Sequence, residues 1–212
     1  MRIVHVLPLV LFASMSVSAQ EAQRPSLTIG DSWSYERTDR TRKVVDLRQL
    51  VILVSRIETE LRFDRKDLET GTVTQSAENA DYNNVETDGR KLTGFRPDFS
   101  WPLTVGKKWE GKYSGLNQSR SGQIHSESEC EVAGVEPIQV KAGSFQSFKI
   151  VCKGTFRTPN NNGQVTLNGR TSAAYWYAPE VKRTVKVEYR DDTQYGVFNN
   201  SSSELVSFEL KK

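Results

Sequence analysis

The chain has 212 residues, with 29 Lys and Arg against 26 Asp and Glu for a formal net charge of +3. Charges of both signs are interspersed along its length rather than gathered into blocks, which excludes a tract for nucleic acid or another polyanion. Only 36% of the residues are hydrophobic; with many Thr, Ser, Val and Tyr, that fits sheets with one wet face and excludes a thick-cored helical bundle.

Residues 1–19 read as a targeting segment. Arg2 supplies a positive start, Ile3 to Phe12 is an apolar run too short to span a bilayer comfortably, and Val17-Ser18-Ala19 is the small-residue pattern expected before a cleavage point. An uncleaved membrane anchor is the alternative. With cleavage near Gln20, residues 20–212 are expected to form a single all-β domain, periplasmic or secreted, with no transmembrane span. No cysteine follows the cleavage site, so lipid attachment there is not expected. About 190 residues suffice for one domain burying roughly 70% of its unfolded surface.

In Asp31 to Arg40, Trp33 and Tyr35 alternate with polar residues, the period of a half-buried strand. Lys43 to Ile57 is a long β-branched run, apolar on both faces at its centre, which a buried helix could also produce; its Val and Ile content and its lack of a cap favour strand. Leu61 and Phe63 continue the alternation, Leu68-Glu69-Thr70-Gly71 reads as a hairpin turn, and Asp88-Gly89 as another. The polar stretch from Glu78 to Lys91 is expected to hold one hairpin with exposed strands. Phe95 to Trp109 changes character: its prolines bar it from a central strand and its rings make it an irregular aromatic connection. Strands follow over Trp109 to Arg120, Ile124 to Val135, Ser144 to Arg157, Gln164 to Tyr177, Thr184 to Arg190 and Glu204 to Leu210, a meander. Pro159-Asn160-Asn161-Asn162-Gly163 and Ala178-Pro179-Glu180-Val181-Lys182 are its turns. No repeat and no convincing helix appears outside residues 1–19.

Cys130 and Cys152 are the only cysteines. The turn Val140-Lys141-Ala142-Gly143 lies midway between them, so an antiparallel hairpin sets them across from each other within disulfide reach. An oxidising compartment would let the bond persist, and closing that loop stabilises the fold by about 3 kcal/mol in the chain-entropy account. A catalytic thiol or zinc site is the sharper alternative, weakened by the lack of Cys-x-x-Cys and by a single histidine, His125, after the leader.

Three segments of the second half resemble the TapB-like group of uncharacterised bacterial exported proteins, a family of unknown function. They are Phe99-Ser100-Trp101-Pro102-Leu103-Thr104-Val105-Gly106-Lys107-Lys108-Trp109, the turn Val140-Lys141-Ala142-Gly143-Ser144-Phe145, and Ala174-Tyr175-Trp176-Tyr177-Ala178-Pro179-Glu180-Val181. The likeness covers roughly residues 30–187 and is strongest after Phe99. Lys141 stands where that group usually has proline, and Lys182 where glycine is common. The resemblance implies an antiparallel, strongly curved sheet or incomplete barrel, a sandwich-like meander being the other arrangement, and assigns no catalytic residue. By fold-level analogy it is similar to envelope carriers that hold a lipid in a concave face.

Catalytic, cofactor and metal sites are not expected. His125, the one available imidazole, sits mid-strand beside Ser126 and Ser128 with no Gly-x-Ser-x-Gly elbow. Asp191-Asp192 and the pair Asp64 and Asp67 lack calcium-loop spacing, and solvated turns and strand ends explain them. The aromatic set is the sharper signal: Phe99, Trp101, Trp109, Tyr175, Trp176 and Tyr177, with Phe95, either fill a thin core or line a ligand pocket. Strand alternation sends Trp176 to one face and Tyr175 and Tyr177 to the other. The leading functional expectation is a non-catalytic exported protein binding an apolar or lipid-like small molecule. The alternatives are an envelope component that docks protein partners through sheet edges, and a hydrolase working without histidine.

Overall fold

The computed structural model describes residues 21–116, 122–160 and 162–212, so the targeting segment lies outside the described residues. Among them the secondary structure is all β. In chain order the strands are β1 (Glu21–Ala22), β2 (Ser32–Asp39), β3 (Val44–Ile57), β4 (Glu60–Asp67), β5 (Val73–Glu78), β6 (Asn84–Thr87), β7 (Arg90–Lys91), β8 (Thr93–Gly94), β9 (Leu103–Thr104), β10 (Lys108–Leu116), β11 (Gln123–Val140), β12 (Gly143–Pro159), β13 (Val165–Ala178), β14 (Arg183–Thr193) and β15 (Gly196–Glu209). The run from residue 43 is thus a strand, as its β-branched content requires.

Thirteen strands form one antiparallel sheet in the order β7-β6-β5-β4-β3-β2-β15-β14-β13-β12-β11-β10-β8. The two edge strands are consecutive in the chain, separated only by Leu92, whose N–H donates to the Val85 carbonyl at 2.9 Å. A sheet whose last strand leads straight to its first must curl until the edges meet, and the result is a nearly closed barrel rather than a sandwich. The first half of the chain runs along the sheet from β2 to β7, crosses the seam, and the second half returns from β8 to β15 beside β2.

Registers fix which side chains face the lumen, because strand neighbours opposite each other share a face. Trp33 opposes Val51, Tyr35 opposes Gln49, Val51 opposes Arg65, Leu53 opposes Phe63 and Phe63 opposes Ser76. Cys130 opposes Cys152, which opposes Ala173, which opposes Tyr189. These form the inner face. The outer face carries a row of aligned Lys149, Trp176, Lys186, Glu204, Glu36 and Arg48. A disulfide joins Cys130 and Cys152 inside the β11–β12 hairpin.

The aromatic connection from Phe95 to Leu103 does not run over the surface: it threads the lumen as a plug. Asn83 clamps it from both sides, Nδ2 donating to the Phe99 carbonyl at 3.0 Å and Oδ1 accepting the Phe99 N–H at 2.7 Å. Trp101 Nε1 donates to the Asp81 carbonyl and Trp109 Nε1 to the Pro97 carbonyl, both at 2.9 Å. Gly111 of β10 leaves room for the Pro97 ring, which a Cβ there would meet at 2.5 Å. The Trp101-Pro102 peptide is cis, and Leu103, fully buried, then pairs β9 with β1.

The plug corrects one expectation. The hairpin of β6 and β7 turns at Asp88-Gly89 as anticipated, but Glu78, Asn83, Asn84 and Glu86 are buried rather than exposed, since the plug packs against this polar stretch and uses its amides as anchors. The turn at Lys141-Ala142 does more than reverse the chain. A register shift between Leu205 and Ser207 of β15 accompanies a free Leu205 carbonyl, which accepts the Ala142 N–H at 3.0 Å, while Lys141 pairs with Glu36.

Candidate functional site

Two buried clusters divide the interior. One gathers Leu27, Trp33, Leu53, Phe63, Val181, Val185 and Leu205; the other gathers Ala22, Leu103, Val132, Phe148, Ile150, Tyr177 and the disulfide. Between and above them the lumen is hollow. A wide mouth of about 1000 Å³ opens between β10 and β14, lined among others by Tyr113, His125, Ser126, Phe156, Arg170 and Asp192. A narrow throat of about 20 Å³ shares Tyr113 and Ser126 with the mouth and includes Arg96, Asp98 and Tyr189. An inner chamber of about 180 Å³ shares Arg96, Asp98 and Tyr175 with the throat, and adds Tyr35, Gln49, Arg65, Glu78, Phe99, Tyr177, Arg183 and Ser203. Mouth, throat and chamber therefore follow one another along the barrel.

The chamber combines rings with charge. Arg183 comes from the first residue of β14 and makes a two-pronged pair with Glu78 of β5, at 2.6 and 3.1 Å, while its guanidinium lies over the rings of Phe63 (4.7 Å) and Trp33 (5.1 Å). Burial alone would pull its proton affinity down; the charge of Glu78 and its two hydrogen bonds overcome that and hold Arg183 above its ordinary pKa. Such a pair satisfies both partners without adding net stability over an apolar substitute, and removing one member would strand the other. Arg96 and Asp98 of the plug pair at 2.8 and 3.0 Å, and the Asp98 charge raises the Arg96 pKa well above normal.

Arg65 of β4 differs from both. Its Nε donates to Ser76 Oγ at 2.7 Å, and no carboxylate of the described residues lies within ion-pair distance of it. Burial pulls its pKa below the usual guanidinium range; the nearby Glu78 charge opposes that, and the like charges of Arg183 and Arg96 add to it. Tyr35 donates to the Thr184 carbonyl at 2.9 Å, and burial raises its pKa. Tyr175 and Tyr177 are pushed further up, first by burial and then by Asp98 beside Tyr175 and Tyr82 beside Tyr177. All three phenols stay protonated through the physiological range, as neutral walls rather than bases.

Of the six aromatic candidates, the fold brings three to the chamber: Phe99, Tyr175 and Tyr177. Trp101 stands behind them, stacked on Phe99 at 5.1 Å and edge-on to Tyr177 at 5.0 Å, so it supports the wall. Trp109 is tied to Pro97 at the root of the plug. Trp176 lies on the opposite face from Tyr175, as strand alternation requires, and is buried there, with Lys149 and Lys186 over its ring at 5.1 and 5.5 Å and Nε1 donating to Glu136 at 2.7 Å. His125 lines the mouth, and the adjacent Ser126 hydroxyl is directed to the Thr155 carbonyl at 3.3 Å. Sequence reasoning missed the cations: Arg65, Arg96 and Arg183 stand in ordinary charged segments, and only the phase that Arg65 shares with Phe63 and Arg183 with Val185 signals that those two face inward.

No family model matches the chain, the TapB-like group included, and no curated protein is significantly similar to it. Solved structures do resemble it. A candidate lipoprotein from Parabacteroides distasonis ATCC 8503 superposes with a TM-score of 0.57 at 14% identity, covering 89% of this chain and 99% of that one. A candidate exported protein from Bacteroides fragilis NCTC 9343, described as having a YmcC-like fold, gives the same TM-score, identity and coverage. This chain shares their fold. At such identity the likeness extends to the YmcC-like architecture and no further. A weaker likeness, with a TM-score of 0.43 at 9% identity, links it to the hypothetical lipoprotein YmcC of Escherichia coli (K12).

Proposed function

We propose that the protein is a non-catalytic exported binding protein of the cell envelope, whose barrel takes an amphipathic small molecule through the mouth and lodges it against the rings of the inner chamber. The observation that carries this reading is the hollow lumen: an open mouth, a throat, then a chamber in which the rings of Phe99, Tyr175 and Tyr177 stand beside charged side chains. The purely apolar ligand suggested by aromatic content alone fits less well, because buried guanidinium groups share that chamber. Export is supported by the leader-like N-terminus, by the disulfide, and by the description of the similar structures as exported or lipoprotein. Partner docking through sheet edges has little room, since the terminal strands are two-residue strands joined across the seam and only the β10 edge from Lys108 to Lys112 extends beyond them.

Native mass spectrometry of protein isolated from a bacterial envelope tests the reading. The expected spectrum holds an adduct of discrete mass that organic solvent releases, and the emptied protein then binds a fluorescent fatty-acid probe and changes its emission. A bare chain that leaves the probe's emission unchanged defeats it.

A further inference from the structure

The cations and carboxylates of the inner chamber do not balance. Arg65, Arg96, Lys182 and Arg183 line it together with Glu78 and Asp98. Arg183 is matched to Glu78 and Arg96 to Asp98, each through two hydrogen bonds, and Lys182 Nζ is turned to the Ser26 carbonyl at 2.9 Å. Arg65 and Lys182 both keep their charge without an ion-pair partner among the described residues, but Lys182 is directed to a backbone carbonyl, whereas the single hydrogen bond of Arg65, from Nε to Ser76, leaves both of its terminal nitrogens without a hydrogen-bond partner among the described residues in a side chain that lines the chamber. Those nitrogens carry four N–H donors in a planar fork suited to an oxyanion. Two further polar side chains line the same space with no hydrogen bond to the described residues, the Gln49 amide from β3 and the Ser203 hydroxyl from β15. The phenol of Tyr35, between these strands in the sheet, already spends its proton on Thr184 and so adds no competing donor.

We propose that Arg65, with Gln49 and Ser203, forms a binding site for a phosphate-type oxyanion in the inner chamber. A guanidinium fork, an amide and a hydroxyl converging from three strands give a tetrahedral anion donors from several sides, and a chamber of about 180 Å³ admits such a group with little more. The closed Arg183–Glu78 and Arg96–Asp98 pairs supply no spare charge and Lys182 is held to the Ser26 carbonyl, so selectivity falls on Arg65. The site deepens the binding reading above: the phosphate is either a free ion, which the chamber holds as it stands, or the head of an amphiphile whose chain requires the throat to widen past Tyr175.

The test measures thermal unfolding of the mature, oxidised protein with inorganic phosphate, with lysophosphatidic acid below its micellar concentration, with an uncharged monoacylglycerol of the same chain length, and with sodium chloride at matched ionic strength. Phosphate or lysophosphatidic acid is expected to raise the midpoint in a saturable way that chloride and monoacylglycerol do not reproduce, and Arg65→Gln is expected to reduce the fitted affinity at least tenfold. Stabilisation by both phosphate probes identifies the free ion as sufficient; stabilisation by lysophosphatidic acid alone identifies the headgroup. Should Arg65→Gln fail to fold, Gln49→Ala carries the same test with a several-fold loss. No response of the wild type to either phosphate probe, or an undiminished response in the variants, overturns the site. An envelope-derived adduct retained by Arg65→Gln would leave the binding reading standing while removing the oxyanion from it.

Discussion

Asp191 shows how a single carboxylate can work against its own fold. The sequence presents Asp191-Asp192 as a solvated strand end, and half of that reading holds: Asp192 is exposed and paired with Arg190 at 2.7 Å. Strand alternation from Tyr189 turns Asp191 inward, where Oδ1 is buried with no hydrogen-bond partner among the described residues, near Thr171 and Tyr189. Alternation separates the faces of two adjacent carboxylates but does not say which face is covered, so nothing in the charge pattern marks Asp191 as the one that meets the lumen. Burial raises the Asp191 pKa above its ordinary value. An acid with a raised folded pKa holds its proton more tightly in the folded state, so its contribution is fully present below about pH 4 and is lost as pH climbs through the folded pKa. Asp191→Asn should therefore stabilise the protein by about 1 kcal/mol at pH 7 and by almost nothing at pH 3.5. Urea unfolding of both proteins at the two pH values checks this; an equal shift at both would assign the effect to packing rather than charge.

At the scale of the element, the hairpins were the most legible part of the chain, because turn chemistry is local. The midpoint between the cysteines fixed the β11–β12 turn, and the observed register sets Cys130 directly opposite Cys152. What local chemistry cannot supply is strand length: β11 runs to Val140 and β15 starts at Gly196, well beyond the apolar runs, since pairing with neighbours extends a strand through polar residues. The turn from β13 to β14 repays closer study. Its carbonyls at Ala178 and Pro179 accept the N–H groups of Val181 and Lys182 at 3.1 Å, and the Val181 carbonyl accepts Trp33 Nε1 at 3.0 Å, so its geometry is set by the core. Lys182, where the resembling group commonly has glycine, sits at φ +60°, a region that costs a side chain roughly 1–2 kcal/mol. Its bond to the Ser26 carbonyl is exposed and returns little. Lys182→Gly is expected to raise stability by about 0.5–1 kcal/mol after the greater unfolded-state freedom of glycine is counted. A calorimetric midpoint that falls would mean that the Ser26 contact outweighs the backbone.

For the whole molecule the decisive feature is the seam, and it was invisible to reasoning about successive segments. Composition and alternation indicate antiparallel sheet, and the resemblance indicates curvature, but closure depends on which strands end as neighbours. Here β7 and β8 are the two edges of the sheet and Leu92 joins them, so the covalent chain itself holds the barrel's edges together. An open sheet of this size would present long unpaired edges to other chains; here the terminal strands are two residues long, and the edge left without a strand partner is the part of β10 from Lys108 to Lys112 that β8 does not reach. The seam also anchors the plug, which leaves β8 directly into Phe95 and the lumen. Gly94 is where this arrangement is tightest. It pairs with Tyr113 of β10 at φ +82°, and a Cβ there would lie 2.3 Å from the Lys112 carbonyl oxygen, a backbone atom held in the β10–β11 ladder. Because neither the conformation nor the neighbour can relax cheaply, Gly94→Ala should destabilise the fold by about 3 kcal/mol. The damage should also be local at first. Hydrogen exchange should accelerate at Leu92 and along the β10 residues facing β8 more than in β12 and β13, whose ladders lie away from the seam. A uniform acceleration across the sheet would show that the seam is no separable lock and that the barrel opens only by unfolding as a whole.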